Sequence, residues 1–472
     1  MIITALIVTT LLALIAMGFI AGAMLFLIKS RATAPAANSE TPLPKAAILL
    51  ALRGPDAHLA DCVRSLLKQD YPDYDLHIVV DSDKDPAWNI VTRVIKEEGA
   101  KNVQAALLRD PLFTCSLKCS ALLQMLREID TDVDVVALID GDVVPHRAWL
   151  RQLVAPLADD GVGASFGIPW YFPTESNWAS VARKVCWSPA GILMALCGWI
   201  WGGTAALPSR VFRDPALVER WSRSVSSDAS IRDVIKADHL RLKWVPALVM
   251  PNFEPARLDV LVNQLARSLA TSRLYLNRWP VTLLAVSLAA GGLLLAVLVC
   301  VVNSLAANMT GTVISAVGLI GYFLILMALL LAVERRALEI TSNNGAEIPA
   351  LSFRMLVKML ISIPLAHGLY LTSAFRAHNV RSVTWRGVRY AINGKLDVQR
   401  VEPGPLVDAD LALMGPENDT EIGPASGNYF TARLNRWRPT LFRDKNRESS
   451  VAKQHTFRSS ELAHGSVKGE QL

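Results

Sequence analysis

The chain has 472 residues, a formal net charge of +6 and 52% hydrophobic residues. That length suits two or three ordinary domains, and the apolar residues are gathered into long uncharged blocks, which excludes a simple soluble protein. The modest positive charge comes with no nucleic-acid motif, so nucleic acid is not an expected partner. Basic clusters such as RAHNVRSVTWRGVRY (376–390) instead adjoin apolar segments, where cations meet anionic lipid headgroups. The six cysteines are scattered. Cys115 and Cys119 have no second pair or nearby histidine, which points to small helix-packing residues rather than zinc, and a cytoplasmic domain would keep such thiols reduced.

In chain order, residues 2–28 carry no charge and are long enough to cross a bilayer, and Lys29 and Arg31 follow at once. No basic segment precedes the run, and it exceeds the apolar stretch of a cleavable signal. It therefore reads as a retained anchor (1–30) with the next segment in the cytoplasm. A linker rich in Pro, Ala and Ser (31–45) leads into an alternating pattern. AAILLAL (46–52), DLHIVVD (75–81), NVQAALL (102–108) and DVVALI (134–139) have the length and apolar content of buried strands. Between them, 57–69, 87–98 and a segment carrying Leu122, Met125, Leu126 and Ile129 repeat apolar residues at helical spacing. This alternation predicts an α/β domain over 46–255, built on a mostly parallel sheet with helices on its faces.

Beyond it, 256–280 reads as an amphipathic interfacial helix. The uncharged stretches 281–302 and 311–333 make a transmembrane hairpin (281–333) whose ends lie in the cytoplasm, because Arg273, Arg278, Arg335 and Arg336 flank it while its tip is uncharged. Residues 334–402 read as a membrane-associated segment in which 359–375, short and carrying Pro364 and His367, is expected to lie at the interface. The polar stretch 403–472 offers too little apolar surface to offset its ordering entropy and is expected to be disordered. The whole is an integral, multi-pass membrane protein. The same topology would serve a bacterial inner membrane or a eukaryotic endomembrane.

In parallel sheets ligands bind beyond the carboxyl ends of the strands. Asp81 ends the second predicted strand, and Asp140 and Asp142 follow the fourth, so three acids face one crevice. No glycine-rich phosphate fingerprint follows the first strand, which disfavours a dinucleotide or Walker-type site. Asp140 and Asp142 flank Gly141, so both carboxylates can turn toward a ligand that approaches the backbone closely. Hard oxygen donors of this kind suit Mg²⁺ or Mn²⁺, which complete their shell with substrate phosphates and water. Taken locally, Asp228 reads as the N-cap of a helix over 229–239. Trp170, Trp178, Trp187, Trp199 and Trp201 cluster within 170–201, as tryptophans at a membrane interface do; sugar stacking is the less expected role.

The order of an anchor, VVDSD (79–83), DGD (140–142), WGGTAAL (201–207), SSDAS (226–230) and a membrane hairpin resembles membrane-bound family 2 glycosyltransferases. It is most similar to their ceramide glucosyltransferase-like branch, and the match runs over roughly 45–390. The resemblance implies a nucleotide-sugar-binding, GT-A-like fold that transfers a sugar from a nucleotide diphosphate sugar, expected to be a UDP-sugar, to a lipid or glycan hydroxyl. It implies that Asp81 or Asp83 binds the nucleoside, that Lys118 lies near the donor, and that Asp140 contacts the ribose or metal. Asp142 would be the main metal ligand and Asp228 the base, with Trp201, Gly202, Gln264 and Arg267 toward the acceptor. Relatives have Glu-Asp where this chain has Ser227-Asp228, and Arg-Trp where it has Arg267-Ser268. The lost tryptophan bears on acceptor choice and processive synthesis. WRGVRY (385–390) also belongs to the resemblance, without a chemical role. A single base with no matched nucleophile implies one displacement with inversion. The alternatives are a processive polysaccharide synthase and a catalytically inactive scaffold derived from a transferase.

Overall fold

The structure, a computed structural model, describes residues 1–31, 43–173, 177–276 and 279–401. Most of the expected linker and the expected disordered tail lie outside the described residues. Helix α1 (Ile2–Ser30) is followed by β1 (Ala46–Leu52), α2 (Leu59–Leu66), β2 (Tyr74–Val80), α3 (Pro86–Glu98), β3 (Val103–Leu107), α4 (Leu117–Glu128) and β4 (Val135–Ile139). Then come α5 (Trp149–Val154), β5 (Val162–Tyr171), α6 (Trp178–Cys197), β6 (Thr204–Pro208), α7 (Ser209–Phe212), α8 (Pro215–Trp221), α9 (Ser227–Ala237) and β7 (Arg241–Asn252). The chain continues through α10 (Leu258–Tyr275), α11 (Trp279–Leu305), α12 (Met309–Asn343) and α13 (Phe353–Asn379) to β8 (Ser382–Trp385), β9 (Val388–Gly394) and β10 (Asp397–Val401).

The first seven strands form one sheet in the order β3-β2-β1-β4-β6-β5-β7. All neighbours are parallel except β6, which runs against both β4 and β5. Strand β1 shows why its sequence is apolar throughout. Ile48, Leu50 and Leu52 point into one core with α2, α3 and α5, while Ala47 and Leu49 point into another with α4. Alternate side chains face opposite layers, and both layers are covered. Helix α3 is bounded as its sequence dictates: Asp85 caps it by accepting from the Ala87 N–H, Pro86 opens it, and Gly99 closes it at φ 59°.

Among the described residues, four helices, α1, α11, α12 and α13, are long and apolar enough to cross a membrane. The 359–375 stretch, expected at the interface, is the middle of α13, so length does not set it apart from the other three. Helix α1 packs against α11 and α12, and small residues allow the approach. A Cβ on Gly318 would stand 2.7 Å from Thr9, and one on Gly292 3.0 Å from Ile15. At 1.5 Å per residue α12 is roughly 52 Å long, well beyond a hydrocarbon core of about 30 Å. Its far end packs against β7 and brings Glu334 to Trp170 and Lys184. The last three strands form a separate antiparallel sheet, β10-β9-β8, whose Val383, Val388, Tyr390 and Ile392 join the same core as α4 and α10.

Candidate active site

The strand ends open into a cavity of about 680 Å³. Asp81, Lys118, Asp140, Asp142 and Asp228 all line it, as do Trp201, Gln264 and Arg267. Asp83 does not line it; it is exposed in the turn before α3. Asp81 accepts from Arg53 Nη1 at 2.8 Å. Burial raises its pKa above the ordinary carboxylate value, and Arg53 pulls it back.

Lys118 lies in the first turn of α4 and ion-pairs with Asp140. Burial works to lower its pKa, but the charges of Asp140 and Asp228 raise it. The ammonium thus pairs with Asp140 and lies in the field of Asp228. Asp142 accepts from Asn252 Nδ2 at 3.3 Å. Its pKa is pushed well above the ordinary range by burial, then by the negative charges of Glu254, Asp56 and Asp140, with Arg386 opposing. Gly141 also makes room for a neighbouring side chain. A Cβ there would stand 2.7 Å from both Asp56 Oδ2 and Leu52 Cδ2, so the glycine makes room for Asp56.

Asp228 is not an N-cap. Ser226 caps α9, its Oγ accepting from the Ala229 N–H at 3.4 Å, because the extended backbone falls at Ser226. Asp228 therefore sits inside the first turn, where its Oδ1 accepts from Ser227 Oγ at 2.7 Å. The Trp201-Gly202-Gly203 loop before β6 closes over it: a Cβ on Gly202 would lie 2.6 Å from Asp228 Oδ1. The Trp201 ring folds onto Gly203 in turn.

The tryptophan cluster divides. Trp170 is buried and donates to Glu334 Oε2 at 2.9 Å, and Trp178 is exposed on α6. Trp187, Trp199 and Trp201 line the cavity. Gln264 reaches the Tyr171 hydroxyl at 3.4 Å. Arg267 stands 5.5 Å from the ring centre of Trp385, beside Ser268.

Sequence reading missed Asp56, Arg53, Glu254 and Arg386. Arg386 Nη2 donates to Asp56 Oδ1 at 2.6 Å, across a separation no local pattern spans. The signal that could have found it is the alternation of Val388, Tyr390 and Ile392 with Asn393-Gly394, a hairpin signature that places WRGVRY on strands.

The donor set fits a divalent ion. Asp142 and Asp140 are hard oxygen donors in a place with excess negative charge, and the neighbour that contacts Asp142, Asn252, is neutral. Among the described residues no group of three His, Cys, Asp or Glu side chains forms a closed cage, so Mg²⁺ or Mn²⁺ here would take the rest of its shell from phosphate and water.

The sequence pattern of Glycosyl transferase family 21 matches residues 8–397. The chain belongs to that family and is a membrane glycosyltransferase, as the resemblance to the ceramide glucosyltransferase-like branch implied. No curated protein sequence matches it. Among solved structures it is similar to a mannosyltransferase from Pyrobaculum calidifontis in complex with GDP-Man and Mn²⁺. Identity is 15% over 79% of this chain and 96% of that one, with a TM-score of 0.40. It is also similar to glucosyl-3-phosphoglycerate synthase from Mycobacterium tuberculosis in complex with Mn²⁺, UDP and phosphoglyceric acid. There identity is 17% over 48% of this chain and 75% of that one, with a TM-score of 0.30.

Proposed function

We propose that the protein is an inverting transferase that moves a sugar from a nucleotide diphosphate sugar, first among them a UDP-sugar, to the hydroxyl of a membrane lipid at the cytoplasmic face. One observation carries this reading. The cavity that holds Asp140, Asp142 and Asp228 continues without a break to Phe19 on α1, Val286 on α11, Leu330 on α12 and Ala366 on α13. An acceptor with an apolar tail in that passage would bring its headgroup to the carboxylates. A soluble acceptor has no need of such a wall.

Asp228 takes the acceptor proton as the hydroxyl attacks the anomeric carbon, and the bond to the diphosphate breaks on the opposite side. With one base and no separate nucleophile, a single displacement inverts the configuration. Asp81 faces the nucleoside end of the donor, and Lys118 holds Asp140 in place between donor and base. Asp142 and Asp140 would hold Mg²⁺ or Mn²⁺, which when bound neutralises the charge of the departing diphosphate. Trp201 and Gly202 shape the acceptor side beside Gln264 and Arg267. The basic residues that follow the uncharged stretches of α1 and α12, Lys29, Arg31, Arg335 and Arg336, set the α/β domain in the cytoplasm.

The test is release of nucleoside diphosphate from a panel of nucleotide sugars, using the purified chain in detergent with a mixed lipid extract, with and without Mn²⁺, beside Asp142→Ala. Metal-dependent release from one donor, lost in the variant and accompanied by a glycosylated lipid of inverted configuration, supports the reading. No release together with no donor binding would overturn it.

A further inference from the structure

Between β8 and β9 the chain reverses in two residues, Arg386 and Gly387, both at positive φ (46° and 74°), while Trp385 pairs with Val388 across the turn. In a two-residue hairpin of this kind the first position favours Asn, Asp or Gly, because a larger side chain crowds the backbone in the left-handed region. Arginine is a poor choice for the turn itself. A disfavoured backbone at a conspicuous place points to what the side chain does.

The turn is driven into the strand-end crevice rather than into solvent. Besides the contact with Asp56, Arg386 Nη1 donates to the Arg53 carbonyl at 2.7 Å, and Arg53 Nε donates back to the Arg386 carbonyl at 2.7 Å. Arg53 goes on to Asp81. Further along β9, the Tyr390 hydroxyl accepts from the Leu117 N–H at 3.2 Å, next to Lys118. The Arg386 side chain is 31% exposed against 7% for that of Asp56, and both line the cavity beside Gly141 and Asp142. Arg53 thus links Arg386 to Asp81, and the negative charge of Asp142 acts on it directly. The planar fork of an arginine matches two phosphate oxygens at once, which a lysine does not.

We propose that Arg386 is a donor-binding residue that grips the diphosphate, carried into the crevice by the β8–β9 turn and oriented there by Asp56. This rests on the reading of the chain as a nucleotide-sugar transferase. The C-terminal sheet, far from the carboxylates in sequence, then completes the donor site.

The experiment is calorimetric titration of the full-length protein in detergent with Mn²⁺, comparing UDP with uridine and GDP with guanosine. For whichever diphosphate binds, R386A should weaken it at least tenfold and leave its nucleoside within twofold. R386K, which keeps the charge without the fork, should fall between wild type and R386A. D56A, which removes the orienting carboxylate but keeps the guanidinium, should weaken the diphosphate by no more than R386A and leave its nucleoside within twofold. Equal losses for diphosphate and nucleoside in R386A and D56A would make the pair a fold brace and overturn the assignment. So would an unchanged diphosphate affinity in R386A. Absence of any diphosphate binding to the wild type would instead overturn the transferase reading beneath it.

Discussion

Gly202 and Asp228 touch through an absent side chain: a Cβ on Gly202 would stand 2.6 Å from Asp228 Oδ1 and 3.1 Å from its Cγ. The contact explains why the loop before β6 carries a glycine at this position, and it makes the carboxylate's aim depend on that glycine. Gly202→Ala should swing the carboxylate away from its Ser227 partner without disturbing the sheet, since the obstructing atoms belong to a side chain. A displacement of about 1 Å near the chemistry can cost on the order of 100-fold in rate. The expected outcome is a 10- to 100-fold fall in kcat for sugar transfer with donor affinity unchanged. Wild-type kcat in Gly202→Ala would remove Asp228 from the reaction.

Arg267 meets an indole although position 268 is serine. Trp385 reaches the arginine from β8, with 5.5 Å between guanidinium carbon and ring centre. The resemblance implied a tryptophan next to the arginine in sequence, and here an aromatic surface comes from another element to the same cavity wall. Cation–π contact and the lost apolar area are together worth roughly 1–2 kcal/mol, about a tenfold change in affinity. Trp385→Ala should therefore raise the acceptor KM about tenfold and spare kcat, with Trp385→Phe recovering most of the loss. Steady-state kinetics with varied acceptor decide it. An unchanged KM would place the acceptor elsewhere.

What the sequence disclosed followed from burial. Strands β1 to β4 sit within a residue or so of their expected bounds because a sheet covered on both faces demands continuous apolar runs, and Asp81, Asp140 and Asp142 follow from where those runs end. Asp228 was misread locally because SSDAS offers several capping residues, and only the backbone, extended at Ser226, selects among them. Asp56, Glu254 and Arg386 lie in turns whose positions are fixed by packing between distant segments. The hairpin that delivers Arg386 was overlooked because its short alternating strands lie within a stretch rich in basic residues next to an apolar segment.

His146 lies a few residues beyond Asp142, with its Nε2 buried and unpartnered among the described residues. Burial lowers its pKa from 6.5 to about 4. The folded protein thus resists a proton that the unfolded chain accepts. Its contribution to stability is complete above pH 6.5 and is lost as the pH falls from there toward 4, by about 1.4 kcal/mol per unit. The raised carboxyls of Asp56 and Asp142 work in the opposite sense, holding protons more tightly when folded. Comparison with His146→Phe isolates the histidine. Chemical unfolding in detergent at pH 7.5 and pH 5 should show the wild type losing about 2 kcal/mol relative to the variant. Parallel losses in both proteins would show that the imidazole is hydrated or already paired when folded.

Lys184 on α6 and Glu334 on α12 form an ion pair in which each side chain is 1% exposed. Trp170 donates to the same carboxylate at 2.9 Å, and the ammonium also donates to the Tyr171 carbonyl at 3.2 Å. The pair therefore ties the end of β5 to a membrane-length helix. Two opposed effects set its worth: desolvating the charges is costly, and their mutual attraction roughly offsets that cost. Removing one partner leaves the other charge buried alone, so Lys184→Met should destabilise the protein by about 3–5 kcal/mol. Adding Glu334→Gln removes the stranded charge yet keeps an oxygen to accept from Trp170, and most of the loss should return. Thermal unfolding of the two variants in detergent distinguishes the causes. A double variant as unstable as the single one would mean that the attraction itself, and not the stranded carboxylate, carried the energy.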